Sequence, residues 1–416
     1  MKKVLNLVLA LVLTLSLALF LTACGDGYKD DGVFRVGVIT LHDSSSTYDK
    51  NFIDAAKEVQ KKLNLSDEQV IIKSNIPEGN ECYNEAVKMV KQGCDVIFAD
   101  SFGHEDYLIK AAKKYPKVQF CHATGTQAHT AGLKNFHNAF ASIYEGRYLA
   151  GVAAGIKIKA LLSDADIEAG KAIIGYVGAF TYAEVMSGYT SFYLGARSVV
   201  GDKLTMKVSF TGSWYDYAKE KEIAKKLIEQ ENCVLISQHA DSQGCPEACE
   251  ESTAKVPNVF YNGTNEAKST WLASSKIDWA PYFTLIMDAN KQDQIPTDYT
   301  GTITDGSVKY YIDETDEALA ADLALDTDSD DTTSSIFNAA EAAIKNGTIK
   351  VFDTKKFTVK GETITTYMAD VDTDKDFAAD TEAIEGGIFT ESSKRSAPYF
   401  NIEIDGITLL DRNYGD

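Results

Sequence analysis

Residues 204–230 read LTMKVSFTGSWYDYAKEKEIAKKLIEQ, and this stretch decides the fold class. Leu204 to Phe210 alternates apolar and polar residues as a strand does. From Ile223 onward the period changes, with Ile223, Ala224, Leu227 and Ile228 at helical spacing and Lys and Glu between them. One helical face is therefore buried, and Asp216 or Ser213 can cap its start. Between the two elements stand Trp214, Tyr215 and Tyr217, where small polar residues are the usual choice. A strand-to-helix loop in an open α/β sheet is where ligands bind, so exposed rings there point to a flat ligand.

The same alternation extends to both sides. Upstream, FRVGVITL, QVIIKSNI, CDVIFADSF and KVQFCHATG read as strands, separated by amphipathic helices through Phe52–Val59, Glu81–Lys91 and Tyr107–Lys113. A long helix packed through small residues follows in IYEGRYLAGVAAGIKIKAL. A second round begins near Ala172: AIIGYVGAF, KLTMKVSF, CVLISQHAD and PNVFYNGTN as strands, AEVMSGYTSFYLGARSV as a helix. Strands alternating with helices at this spacing imply parallel, doubly wound sheets. Two such units in tandem predict two lobes facing one another, with 33–157 and about 280–300 in the first and 171–279 in the second. SSKIDWAPYFTLIMDANK reads as a strand crossing back, then a helix returning to the first lobe. Residues 301–416 are expected to supply hinge-crossing strands and an acidic C-terminal extension, in which SSIFNAAEAAIKNGTIKVF reads as a helix ended by Asn-Gly and then a short strand.

The first residues, MKKVLNLVLALVLTLSLALFLTAC, combine two lysines, an apolar run from Val4 to Leu21, small residues and a cysteine. That is the pattern of a secretory signal over 1–23. LTAC resembles the lipobox of bacterial lipoproteins, so Cys24 is the expected lipidated residue and 24–32 a polar tether. The formal net charge is −20, and loss of Lys2 and Lys3 makes it two units more negative. So acidic a chain excludes nucleic acid as a partner and offers anionic lipid no basic patch. Six further cysteines (Cys82, Cys94, Cys121, Cys233, Cys245, Cys249) are even in number, but spacing does not fix a pairing.

No catalytic or cofactor signature is present. There is no nucleophile elbow, no phosphate-cradling Gly-rich loop with Lys, and no HExxH. His122, His129 and His137 share one region but lack a closed ligand set, so no metal and no cofactor is expected. DTDSDD and DVDTDKD lack the sixth-position Gly and twelfth-position Glu of a calcium loop, and are expected to be solvated acidic surface. What remains are the strand ends, which offer Tyr48, Asp49, Phe102, Asp106, Trp214, Asp216, Gln238, Asp241 and Asn262. Rings to stack on, with carboxylates and amides to read edge donors, suit a heteroaromatic solute.

Four stretches, FCHATG (120–125), IYEGRYLAG (143–151), GSWYDYAKEKE (212–222) and SQHADS (237–242), with IDWAPYF (277–283), resemble the basic membrane protein family of bacterial lipoproteins. The resemblance implies a type I periplasmic-binding-protein fold: two Rossmann-like lobes with parallel sheets joined by a hinge. It also implies a purine nucleoside or base as ligand, held between rings of opposite lobes and delivered to ABC permease subunits from the extracytoplasmic face. Carried over by position, Trp214 would be the second-lobe ring and Tyr48 or Phe52 its counterpart. Phe102 and Asp106 match the family's aromatic and acidic positions, and Asp241 and Asn262 would meet the base edge or a sugar. The first loop here is Ser-rich (LHDSSSTYDK), and Tyr217 stands where the family has Pro. Other readings are a receptor for another flat heterocycle such as a flavin, a sensory or adhesion lipoprotein, and a nucleoside-cleaving enzyme.

Overall fold

A computed structural model describes residues 27–326, 334–371 and 378–415. The signal stretch, Cys24 and most of both acidic runs lie outside the described residues. Twelve strands carry the architecture: β1 Val36–Ile39, β2 Val70–Lys73, β3 Val96–Ala99, β4 Gln119–Ala123, β5 Phe136–Ala141, β6 Ile173–Gly178, β7 Thr205–Phe210, β8 Leu235–His239, β9 Asn258–Tyr261, β10 Trp271–Ile277, β11 Asp298–Gly301 and β12 Val308–Ile312. They form two sheets. The first is ordered β11-β5-β4-β3-β1-β2 and is parallel throughout. The second is ordered β12-β10-β9-β8-β6-β7 and then Ile407–Leu409, parallel except for β12. Interior strands of each sheet are apolar runs, as strands covered on both faces require: β1 (VGVI) and β6 (IIGYVG). Two doubly wound lobes are thus present, as the alternation predicts.

Two of the crossings between lobes pass through helices. After β5 the chain enters the Tyr144–Leu161 helix, which packs against the Ala183–Val200 helix of the second lobe. After β10 it enters the Ala280–Ile286 helix, which returns to the first lobe and packs on Thr47–Lys62. Trp279 stacks on Phe52 there, with centroids 4.4 Å apart. The contact between the two long helices is made through glycine. A Cβ on Gly151 would overlap the Phe192 carbonyl oxygen, and one on Gly195 would overlap that of Tyr148. Overpacking a rigid contact costs about 1–3 kcal/mol, and here both obstacles are backbone. Gly195→Ala is therefore expected to lower stability by about 2–3 kcal/mol, read as a fall in denaturant midpoint. An unchanged midpoint would mean that the helices have room to part.

One sequence reading needs correction, and two features were not assigned from sequence. Phe136–Ala141, given no element by the pattern, is a full strand, although FHNAFA gives no clean alternation. Its polar residues are buried with partners: His137 contacts the Pro296 carbonyl and Gln119 Oε1, both at 2.9 Å, and Asn138 donates to Glu105 at 2.9 Å. Residues 349–352 do not form a strand. Phe352 instead stacks on Phe400 (4.4 Å), and only Asp353 makes a bridge, to Ile388. Finally, the described part of the region after 334 holds an apolar cluster that the sequence pattern does not announce, in which Phe352, Phe357, Phe389, Tyr399 and Phe400 bury one another.

Candidate functional site

The carboxyl ends of both sheets face each other and enclose a cavity lined from both lobes, a concave setting of the kind in which small-molecule sites occur. Leu41, His42, Tyr48, Asp49, Ser101, Phe102 and Thr124 line it from the first lobe. Glu184, Trp214, His239, Asp241, Tyr261 and Asn262 line it from the second. The lobes touch directly beside it. Thr47 Oγ1 donates to the Asp241 carbonyl at 3.2 Å, and Asn51 Nδ2 to the Asn262 carbonyl at 2.9 Å.

The two lobes present corresponding corners. Thr124 follows β4 and Asn262 follows β9, and both hold positive φ, 63° and 57°. Each is pinned by its N–H to a carbonyl near the end of the neighbouring strand, Ala139 at 3.1 Å and Ser275 at 3.0 Å. A β-branched residue at positive φ is an outlier. Such strain persists only where the surroundings over-determine it, commonly at ligand sites.

Rings occupy both walls. Trp214 is half-buried, edge-on to Phe180 (5.3 Å, 67°) and tilted to Tyr182 (6.1 Å). Phe180 and Tyr182 stack at 4.9 Å and 14°. Across the cleft, Phe102 is 47% exposed and its ring lies 6.1 Å from that of Tyr182. Tyr48 is less free, since its hydroxyl donates to the Asp100 carbonyl at 2.8 Å and its ring meets the edge of Phe52. Phe52 itself is fully buried in the first-lobe core and does not line the cavity.

The polar groups are mostly acidic. Asp49 accepts the His42 N–H at 2.7 Å and faces His42 Nδ1 at 3.3 Å. Burial works to raise the Asp49 carboxyl, but hydrogen bonds from His42 and Ser46 hold it below its ordinary value. Behind it, burial and then the Asp49 charge push Asp100 well up. Asp241 is likewise raised, by burial and by the charges of Glu220, Asp49 and Glu184. His239 packs 4.3 Å from Tyr261 with Nε2 3.6 Å from Glu184, and burial lowers its pKa. Among the described residues no lysine or arginine lines the cavity. Behind Tyr261 lies the buried Arg147, whose guanidinium carbon is 5.0 Å from that ring; its Nη2 bonds the Tyr176 hydroxyl, Ser237 Oγ at 3.3 Å and the Gln238 carbonyl at 3.2 Å.

Of the residues expected from sequence, Tyr48, Asp49, Phe102, Trp214, Asp241 and Asn262 meet at this cavity. Three do not. Asp106 is exposed on the outer side of the Glu105–Lys114 helix and accepts from Gln127 at 2.9 Å. The organising carboxylate is its neighbour Glu105, which takes the N–H groups of Thr126 and Gln127. Asp216 caps the Tyr217–Glu229 helix, accepting the Lys219 N–H at 3.0 Å. Gln238 points to the other side of β8 and donates to the carbonyls of Ala240 and Ser242, so that His239 faces the cavity instead. Glu184, His239 and Tyr261 were missed. The signal for His239 lay in the strand period of two, which turns it inward once Gln238 is turned away, whereas Glu184 stands in the first turn of the Ala183–Val200 helix.

The other sequence candidates are structural. His122 Nε2 sits 2.7 Å from the Ser101 carbonyl, and His129 faces Asp298 at 3.8 Å. All six described cysteines are buried and unbridged. Among the described residues no cluster with the composition of a metal site occurs, and no helix is long and apolar enough to cross a membrane.

A family model described as "ABC transporter substrate-binding protein PnrA-like" matches residues 33–306. A purine-binding protein of Brucella abortus is 35% identical over 209 residues, covering 50% of this chain and 55% of that one. A Haloferax volcanii protein named for ABC transporter glucose binding is 33% identical over 194 residues, covering 45% and 44%. The chain therefore spans about half the length of these curated relatives. Among solved structures, a solute-binding protein of an ABC transporter system from Aeropyrum pernix K1 shares the fold with a TM-score of 0.59 at 15% identity, covering 79% of this chain and 94% of that one.

Proposed function

This chain belongs to the PnrA-like family of ABC transporter substrate-binding proteins, and from that premise we propose that its cleft receives a purine base or nucleoside. The family is one of binding proteins rather than enzymes, so the nucleoside-cleaving reading falls away. The observation that carries the proposal is the cavity lining: Phe102 and Trp214 come from opposite lobes, with carboxyls and an amide around them and, among the described residues, no lysine or arginine. A planar ring with edge N–H donors satisfies both features, by stacking and by charge-assisted hydrogen bonds. Phosphorylated nucleotides would meet the Asp49 carboxylate, held below its ordinary value, and no lysine or arginine among the described lining residues, so the ligand is unphosphorylated. The name of the Brucella relative supports the purine class.

Binding proceeds by hinge closure, since a ligand touching both lobes biases the closed form. The protein is held outside the cytoplasm through a lipid on Cys24 and passes its ligand to ABC permease subunits. The test is calorimetry of protein lacking residues 1–24 against adenosine, guanosine, inosine, the free bases, riboflavin and glucose. Heat with a purine is expected. Folded, ligand-free protein that gives none with any purine rejects the reading, and heat with glucose alone would favour the class named for the Haloferax relative.

A further inference from the structure

The segment after Asp405 lies outside the stretch matched by the family model, which ends at residue 306. It nevertheless reaches the second-lobe wall of the cleft. Ile407–Leu409 adds a parallel strand beside β7, whose carboxyl end leads into the Trp214 loop. Asp411 then accepts the Phe210 N–H at 2.8 Å and bonds the Ser209 hydroxyl. Asn413 pairs with Thr181 in both directions: its N–H donates to Thr181 Oγ1 at 2.9 Å, and its carbonyl accepts the Thr181 N–H at 2.6 Å. Its side chain fills the space over Gly212, two residues before Trp214. A Cβ on Gly415 would stand 2.6 Å from the Tyr182 hydroxyl oxygen.

These contacts fall on the two loops that carry Phe180, Tyr182 and Trp214. Without them, those loops would have an open sheet edge on one side, where backbone and rings are free to shift. We propose that residues Asp411–Gly415 are positioning residues of the binding cleft, bracing the second-lobe rings in the spacing that a planar ligand needs. The inference rests on the reading of this cleft as the ligand site, and its physical content is preorganisation: a wall already ordered costs the ligand less to engage.

The test uses protein lacking residues 1–24, with residues 413–416 deleted in one variant and Thr181→Val in a second, which removes the acceptor of the Asn413 N–H. Acrylamide quenching of ligand-free protein reads Trp214, because Trp271 and Trp279 are only 7% and 2% exposed. A rise of at least twofold in the quenching constant is expected in the deletion and a smaller rise in Thr181→Val. Affinity for whichever purine the parent binds is expected to fall at least fivefold in the deletion, with the denaturant midpoint little changed. Unchanged quenching in both variants overturns the proposal, and so does raised quenching with undiminished affinity. Should the parent bind no purine, the purine reading fails while the quenching result still decides whether the brace exists.

Discussion

Trp214→Ala is expected to weaken purine binding at least tenfold, about 1.4 kcal/mol. An aromatic pair contributes about 0.5–1.5 kcal/mol beyond the area it buries, and alanine removes that term together with the area. The indole is only half-buried and packs at the edge of the core beside Phe180 and Tyr182. Its loss should therefore leave the fold standing, which separates a binding defect from unfolding. Phe102→Ala is expected to act in the same direction from the opposite lobe. Because Phe102 is so exposed, its effect on stability should stay within about 0.5 kcal/mol. Calorimetry on the two variants checks both statements. Parent-like affinity in Trp214→Ala would reduce the indole to a loop-packing residue.

Replacing Glu391 by glutamine is expected to change the pH dependence of stability. Glu391 is buried against Ser187, and burial pushes its carboxyl up to about 7, with the charges of Glu184 and Glu145 acting the same way. The folded chain then keeps a proton that the unfolded chain releases near pH 4.3. Raising the pH between those values therefore costs stability, and the loss is complete above about 7. For one fully buried group the cost is about 4 kcal/mol at most, at 1.36 kcal/mol per pH unit. Buried histidines oppose it: burial lowers His104 to about 4 and also depresses His122, His137 and His239. Their contribution rises with pH up to about 6.5, so the parent's own profile mixes both. The difference between parent and Glu391→Gln isolates the carboxyl. Glutamine is expected to be neutral or destabilising at pH 5 and stabilising by up to about 4 kcal/mol at pH 8. A difference that does not vary with pH would mean that the carboxyl is already ionised in the folded protein.

Some elements could be read from sequence because their physics is local. VGVI and IIGYVG are apolar throughout since parallel strands are covered on both faces, and Asp216 could be placed at a helix start by its residue type. β5 could not, because FHNAFA is a strand only by virtue of Gln119, Pro296 and Glu105, which satisfy its polar side chains from distant positions. The site divides in the same way. Trp214 announced itself as a ring in a strand-to-helix loop. Whether Gln238 or His239 faced the cavity depended on which side of β8 was covered, and one residue of phase reverses the answer.

Composition, period and turn chemistry, all carried by neighbours in the chain, determined the alternation of strands and helices, the two lobes, and the cluster of rings and carboxyls at strand ends. Only the tertiary structure decided which of those side chains share a cavity, that Tyr48 and Phe102 line it from the first lobe while Phe52 is buried, and that Asp411 and Asn413 contact the strand and loop beside Trp214. The physical reason is range. Periodicity records burial on one element, whereas a cleft is made by surfaces from elements more than two hundred residues apart, such as those of Asn51 and Asn262, whose meeting depends on how both sheets pack.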